Sequence, residues 1–497
     1  MRRHLAATAL LLALAPAPAL ALTAEELAVD VGGFLDELNL QLAPAQLRHE
    51  PLRIEPAGEA FRVTIPALAI VGIEELRDLA IGEVSFLVAE PTPGNYDFSE
   101  VAVPERLEFR GPGGEAQGSV TFDLQRLSGS LSSDLGELTR LDFALAAFDV
   151  RVPAEGVVMW LGQAEARLDT LPDGAGFHHQ QQDYRLADLL ISDEEGTLEI
   201  AGMTLLASME GLDLESYRTL LAIMADIETA GAKGDASKLA ALRQTMGELA
   251  AQDPVATDLA QSFTLTGLTG HGEQGQRLGS LERLGFAVTA TAERGNPEGA
   301  ASFLFDGEGL ALDPAGVPEA APYLPVIPRS WSIPLRLEKL PMQSLSAAMV
   351  DLLFELSFDP FAAESQVELA GQSILQALGA AGSRLIVEGG FIDSALLRMT
   401  AAAALAFDPQ TPLGLVGTSS LGFFGLDRVL SFAETLADPE AKRMVKMAVL
   451  GLMGFGQATA EADGSVGYKF EFFFGPDGTV TMNGFGMGDL MNKAMPQ

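Results

Sequence analysis

The chain has 497 residues, with 68 acidic against 31 basic side chains, a formal net charge of −37, and no cysteine. That balance excludes a nucleic-acid partner, because a phosphate backbone calls for a basic footprint. The missing thiols exclude disulfides, thiolate zinc sites, iron–sulfur clusters and thiol catalysis. With 48% apolar and 20% charged residues, wholesale disorder is excluded too, and the length suits roughly two to four domains.

In chain order, Arg2 and Arg3 precede an apolar run, Leu5 to Leu14, which Pro16 and Pro18 end; Ala19-Leu20-Ala21 has the small–x–small form of a signal-peptidase site. Residues 1–21 read as a signal peptide cleaved after Ala21, the run being too short for a span of about 20 residues. No later window offers a transmembrane segment, and without a cysteine there is no site for lipoprotein acylation. An exported chain without disulfides fits the bacterial periplasm, with the extracellular space as the alternative.

Thr23 and Glu26 form a capping box ahead of a helix carrying Leu27, Val31, Phe34, Leu35 and Leu38. From about residue 51 the period becomes two: Phe61, Val63 and Ile65, then Val120, Phe122 and Leu124, then Phe143, Leu145, Phe148, Val150 and Val152. A phase slip at Ala146-Ala147 predicts a bulge. Such alternation predicts antiparallel sheet with one buried face. Near residue 213 the period turns helical. Leu220, Ile223, Met224 and Ile227 mark one helix and Leu239, Leu242, Met246 and Leu249 a second, with Gly231–Asp235 as the turn between them.

Strands resume at 263–268, 284–292 and 301–312. Asp313–Pro334 holds six prolines, which predicts a linker free of any central strand or helix. Beyond it the pattern predicts a helix around Leu345–Leu356, strands near 385–407 and 413–424, and a helix pair near 427–453 with Pro439 in its first turn. The expected organisation is a signal peptide at 1–21 and an N-terminal β-rich half at 22–312 with a helix pair near 213–250. A linker at 313–334 and a C-terminal β-rich half at 335–497 follow. Gly211-Leu212-Asp213 and Gly425-Leu426-Asp427, each ahead of a helix pair, hint that the halves are similar. The expected fold class is α+β, with mostly antiparallel, curved sheets and amphipathic helix pairs packed on them.

Motifs of catalysis are missing: there is no Gly-x-Ser-x-Gly elbow, Walker loop or His-Glu-x-x-His. His178-His179 would point to opposite strand faces and make a poor chelate. Asp306-Gly307, Asp463-Gly464 and Asp477-Gly478 read as hairpin turns rather than calcium loops. No enzyme activity, cofactor or metal is expected. What remains is apolar sheet surface: Tyr468, Phe470, Phe472 and Phe474 alternate along one strand, and Val480 and Met482 return on the next. This stripe is either core, with Phe472 a packed ring, or an open face for a ligand.

Gly467-Tyr468-Lys469-Phe470, followed by Asp477-Gly478-Thr479-Val480-Thr481-Met482-Asn483-Gly484, resembles the closing hairpin of an alphaproteobacterial envelope family, domain of unknown function 2125, which is similar to AsmA-like proteins. The chain departs from AsmA in having no retained N-terminal membrane helix. The resemblance implies a periplasmic, non-enzymatic protein that shields or handles lipid in envelope maintenance, with lipid or another envelope protein as partner. The alternative is a structural or interaction protein with an ordinary closed core and no ligand.

Overall fold

The computed structural model describes residues 23–486 apart from positions 43–44, 74–76, 93, 112–113, 133–136, 154–155, 234, 359–362 and 461–465. The signal-peptide expectation and the Asp463-Gly464 turn lie outside the described residues. The fold is α+β and mostly antiparallel sheet. Two compact units divide the chain, one of residues 1–208 with 263–277, the other of 209–262 with 278–497. The proline-rich segment lies inside the second.

In the first unit the expected capping box opens helix α1 (Ala24–Gln41). The Thr23 amide donates to Glu26 Oε2 at 3.0 Å, and the Glu26 amide donates to Thr23 Oγ1 at 3.2 Å. Strands β1 (Gln46–Arg48), β2 (Arg53–Ala57), β3 (Ala60–Ile73), β4 (Arg77–Thr92), β5 (Asn95–Ala102), β6 (Arg106–Arg110), β7 (Ala116–Ser132), β8 (Glu137–Val152), β9 (Val157–Pro172) and β10 (His178–Ser192) follow. Strands β1 and β2 pair with β3, and β3 with β4. Strand β4 pairs with β5 and β6, both of which pair with β7; β8, β9 and β10 then add in order, always antiparallel. Leu27, Val31 and Leu35 of α1 share one core with Val63, Ile65, Leu68, Val88, Tyr96 and Leu131. The helix stripe therefore closes the apolar side of β3–β7. The side chains of Phe34 and Leu38 lie outside the described residues.

The phase slip in β8 is a bulge. Against β7 the ladder passes from Thr121–Asp149 to Asp123–Ala146, so Ala147 and Phe148 stand where β7 supplies only Phe122, with Ala147 at φ +50°. Asp188 of β10 also has a positive φ, +55°, with the ladder to β9 kept in register across it. Such an extra residue adds a local bend to its strand.

The division between the units falls within β11 (Gly196–Leu212) and β12 (Asp258–Gly272). In the second unit, α2 (Leu214–Lys233) and α3 (Ala236–Ala250) bury Ile223, Ile227, Leu239 and Met246 in one cluster with Val350 and Phe354 of α4 (Met342–Phe358). Two expectations change here. Helix α2 runs through Gly231, and the turn shrinks to the residues around Asp235, whose carboxylate caps α3 by accepting from the Lys238 amide at 3.0 Å. Met224 is exposed rather than on the packed face.

The remaining elements are β13 (Arg277–Ala292), β14 (Glu298–Glu308), β15 (Ala311–Leu312), β16 (Ser330–Pro341), α5 (Ala363–Ala381), β17 (Arg384–Asp393), β18 (Arg398–Phe407), β19 (Leu415–Phe424), α6 (Leu426–Ala433), α7 (Pro439–Phe455), β20 (Gln457–Ala460), β21 (Val466–Phe474), β22 (Val480–Met482) and β23 (Phe485–Gly486). The sheet order is β13–β14–β16–β17–β18–β19–β21, with β15 on β13, β20 and β22 on β21, and β23 on β22. One correction concerns prolines. The end of the expected linker, from Ser330, is strand β16, paired on both sides. Pro334 sits opposite Leu304 of β14, and the ladder to β17 skips from Ser332 to Arg336. A proline without an N–H is accommodated because the ladder is interrupted on that side. Asp306-Gly307 is likewise inside β14 and not a turn.

The two Gly-Leu-Asp tripeptides are alike in part. Both glycines have positive φ and both leucines are buried. Asp213 caps α2, accepting from the Glu215 amide at 3.1 Å, whereas in the second copy Gly425 is itself the cap, at φ +93°.

Candidate functional site

Side chains alternate along a strand, so the register of the second unit decides which residues share a face. Starting from the stripe on β21, Tyr468, Phe470, Phe472 and Phe474 lie opposite Phe423, Leu421, Ser419 and Gly417 of β19. Phe423 and Leu421 lie opposite Met399 and Ala401 of β18, and these face Ile392 and Gly390 of β17. Ile392 meets Trp331 of β16, which meets Gly307 of β14. Two residues along, Ile333 meets Phe305, and Phe305 meets Phe286 of β13. One parity thus runs across seven strands, through the bulges at Lys339 and Gly389, both at positive φ. Val480 and Met482 of β22 extend it beyond Phe474 and Phe472. Among the described residues, Ser419 and the Tyr468 hydroxyl are the polar side-chain groups in the rows from Trp331 to Leu335.

The opposite parity is polar. It carries the ion pair Arg283–Asp306, the Thr289–Ser302 hydrogen bond at 2.6 Å, Arg336 on Glu338 at 3.2 Å and Lys469 on Glu471 at 2.8 Å. Thr400, Thr418 and Ser420 add to it. A depression of about 420 Å³ on this side is lined by Arg283, Asp306, Ser332 and Phe391. Arg283 and Asp306 in it are paired with each other.

The apolar face is half-buried rather than sealed. Of its large side chains among the described residues Leu340, Leu405 and Phe470 are buried, and Phe286 and Phe305 are 43% and 42% exposed. Trp331 lies over Gly307, where no Cβ intervenes, with its ring centroid 5.8 Å from that of Phe305. Cover exists at one end. Helices α6 and α7 bury Leu426, Val429 and Val449 in a cluster with Phe423 and Tyr468. Phe470 completes that closure, edge-on to Phe423 with centroids 5.5 Å apart and planes at 81°. The expected stripe is therefore on one face, as its alternation implied. It is closed at Tyr468 and Phe470 and half-open at Phe472, Phe474, Val480 and Met482. Phe472, expected as a packed ring, is half-buried.

Most of this face lay hidden in the sequence. Phe286, Phe303, Phe305, Trp331, Ile333 and Ile392 come from four strands, and only their register brings them together. His178 and His179 sit on successive positions of β10 opposite Pro172 and Leu171. Among the described residues, no group of three or more His, Asp or Glu could hold a metal, and no helix is long and apolar enough to cross a membrane. Glu434 accepts from Lys446 and Lys442, which hold its carboxyl below the usual range. In the first unit, burial pushes the Asp30 carboxyl up, with Glu26 adding to the effect. No family model, curated protein or solved structure matches the chain.

Proposed function

We propose that the protein shields or handles lipid in the bacterial envelope, receiving acyl chains on the apolar face of its second unit and performing no catalysis. One observation carries this reading: a mostly apolar parity across seven strands whose rings at the β13–β14 end, Phe286 and Phe305, stay exposed. A polypeptide that leaves such a surface open in water forgoes about 25 cal/mol for each Å² it could have buried, and open apolar patches of this kind mark binding surfaces. Periplasmic residence after cleavage behind Ala21, and membership of the AsmA-like family of domain of unknown function 2125, belong to the same proposal. So does a duplicated plan, in which helix pairs following Gly211-Leu212-Asp213 and Gly425-Leu426-Asp427 act as lids on curved sheets. The closed-core alternative draws support from Phe470 and Tyr468, which α7 covers, but not from the β13–β14 end of the face.

Native mass spectrometry with lipid extraction tests the proposal. The full chain purified from a bacterial periplasm is expected to carry lipid, and Phe305→Glu to lose it while remaining folded by circular dichroism. A clean apo mass from the unaltered chain overturns it.

A further inference from the structure

The first unit has an apolar face of its own beyond the reach of α1. Among the described residues, the core that α1 closes reaches Val157 of β9 and includes no residue of β10. The register carries the apolar side onward. Phe143 of β8, Ala166 of β9 and Tyr184 of β10 form one row, and Leu145, Ala164 and Leu186 the next. The two alanines make a low floor between lines of larger side chains, and the β10 members are half-buried. The step to Phe148, Leu161 and Leu189 is three residues instead of two, with Ala147 and Asp188 at positive φ. The same step in β3, across Ala67, and in β4, across Gly82, keeps Ile65, Leu68, Ile81 and Val84 in a single core. Tyr184 to Ile191 spans about 23 Å at roughly 3.3 Å per residue. That exceeds the roughly 15 Å that hydrocarbon occupies in one leaflet of a bilayer.

The other end of this face is polar and uncharged. Opposite Leu168, Gln182 donates through Nε2 to Gln180 Oε1 at 2.9 Å, and Gln180 Nε2 donates to Thr170 Oγ1 at 3.2 Å. Gln180 and Thr170 are 4% and 5% exposed. The network ends open: it leaves the Thr170 proton and Gln182 Oε1 unused, and the buried Nδ1 of His178, next along the strand on this side, has no partner. Buried polar groups left open are costly, where leucine would have continued the row at no such cost. The charged neighbours Arg167, Asp183 and Arg185 have the opposite parity, with Arg167 beside Asp142 and Arg185 on Asp183.

We infer that this face binds a single-chain neutral lipid of the monoacylglycerol class, its acyl chain along the alanine floor of β9 and its hydroxyls among Thr170, Gln180, Gln182 and His178. A hydroxyl both donates and accepts, which suits a network open at a donor and at an acceptor. A fatty acid fits less well, because its carboxylate would be buried with no cation on this side. The inference draws on the first unit alone, so it stands or falls apart from the acyl-shielding reading of the second. A single acyl chain is held reversibly, so lipid added to the purified chain is the measure.

Monoolein added to the full chain is expected to slow hydrogen exchange in the peptides of β9 and β10, with oleate at least about tenfold weaker. Gln182→Leu should weaken monoolein about tenfold without lowering the urea midpoint, since leucine there continues the apolar row. Leu186→Glu should abolish the protection. Unchanged exchange in β9 and β10, equal binding of oleate, or monoolein binding untouched by Gln182→Leu overturns the inference. Lipid co-purifying with the unaltered chain while monoolein leaves β10 unprotected overturns this inference alone. Protection of β10 in a chain that carries no co-purified lipid upholds it and removes the reading of the second unit.

Discussion

Phe470 and Phe472 stand two residues apart on the same side of β21, and replacing each by alanine should have unequal consequences. Phe470 is 4% exposed, with its ring edge-on to Phe423 and close to Gly456. Removing it leaves a cavity beneath α7, and a core phenylalanine truncated to alanine costs about 3–5 kcal/mol. Roughly 0.5–1.5 kcal/mol of that belongs to the aromatic pair. Phe472 faces Ser419 on one side and Met482 on the other and is half-buried. It loses only part of a transfer energy of about 1.5–3 kcal/mol, so its truncation should cost about 1 kcal/mol. The expected gap is about 2 kcal/mol or more. Urea unfolding of the full chain, followed by far-UV circular dichroism and intrinsic fluorescence, reads it. With two compact units, the transition sensitive to Phe470 must be fitted separately. Equal losses, or a larger loss at Phe472, would refute the reasoning that α7 closes only one end of the face.

Gly307→Ala should drive the Trp331 indole off the sheet, since a Cβ at position 307 meets that ring. Overpacking costs about 1–3 kcal/mol; the expected readout is a lower urea midpoint with red-shifted tryptophan emission, and unchanged emission would sink the register across β14 and β16. Asp30→Asn should stabilise the first unit near neutral pH. The folded state raises the Asp30 carboxyl through burial and Glu26, so it holds the proton more tightly than the unfolded chain does. The penalty for ionising it accrues as pH rises from about 3.9 through the raised value. The gain from asparagine is therefore present above that window and fades below about pH 3.9. A urea-midpoint series over pH that showed no gain at pH 7, or one that persisted in acid, would count against it.

Local chemistry was legible from the residues alone. The Thr23–Glu26 box, the bulge at Ala147, the Asp438-Pro439 start of α7 and the alternation from Tyr468 to Phe474 each depend on neighbours a few positions apart. The Asp438 carboxylate does accept from the Glu440 amide, at 2.9 Å. Helix α5 was missed although Ile374, Leu375 and Leu378 carry helical spacing, because the strand-like residues after Arg384 drew the reading. Pro334 misled for a physical reason. A proline removes one donor, and a sheet accepts it where the neighbouring ladder is interrupted, which depends on a strand more than fifty residues away in sequence. The candidate site was hidden for the same cause. Whether Phe286, Phe305 and Trp331 share a side is a property of pairing, and no window of the chain contains it.

The common parity of seven strands also constrains which genetic changes the second unit can absorb. Losing one codon inside β14, between Phe303 and Gly307, would turn every residue on one side of the lesion over, exchanging Phe303 or Phe305 with Leu304 or Asp306. Losing two adjacent codons shortens the strand and keeps the phase. A single-codon change is harmless only where a bulge swallows it, as Lys339 does in β16, or in a connection such as Gly295-Asn296-Pro297 between β13 and β14. Length differences among natural variants of this unit should therefore fall in turns, occur in even steps within strands, or appear together with a residue at positive φ.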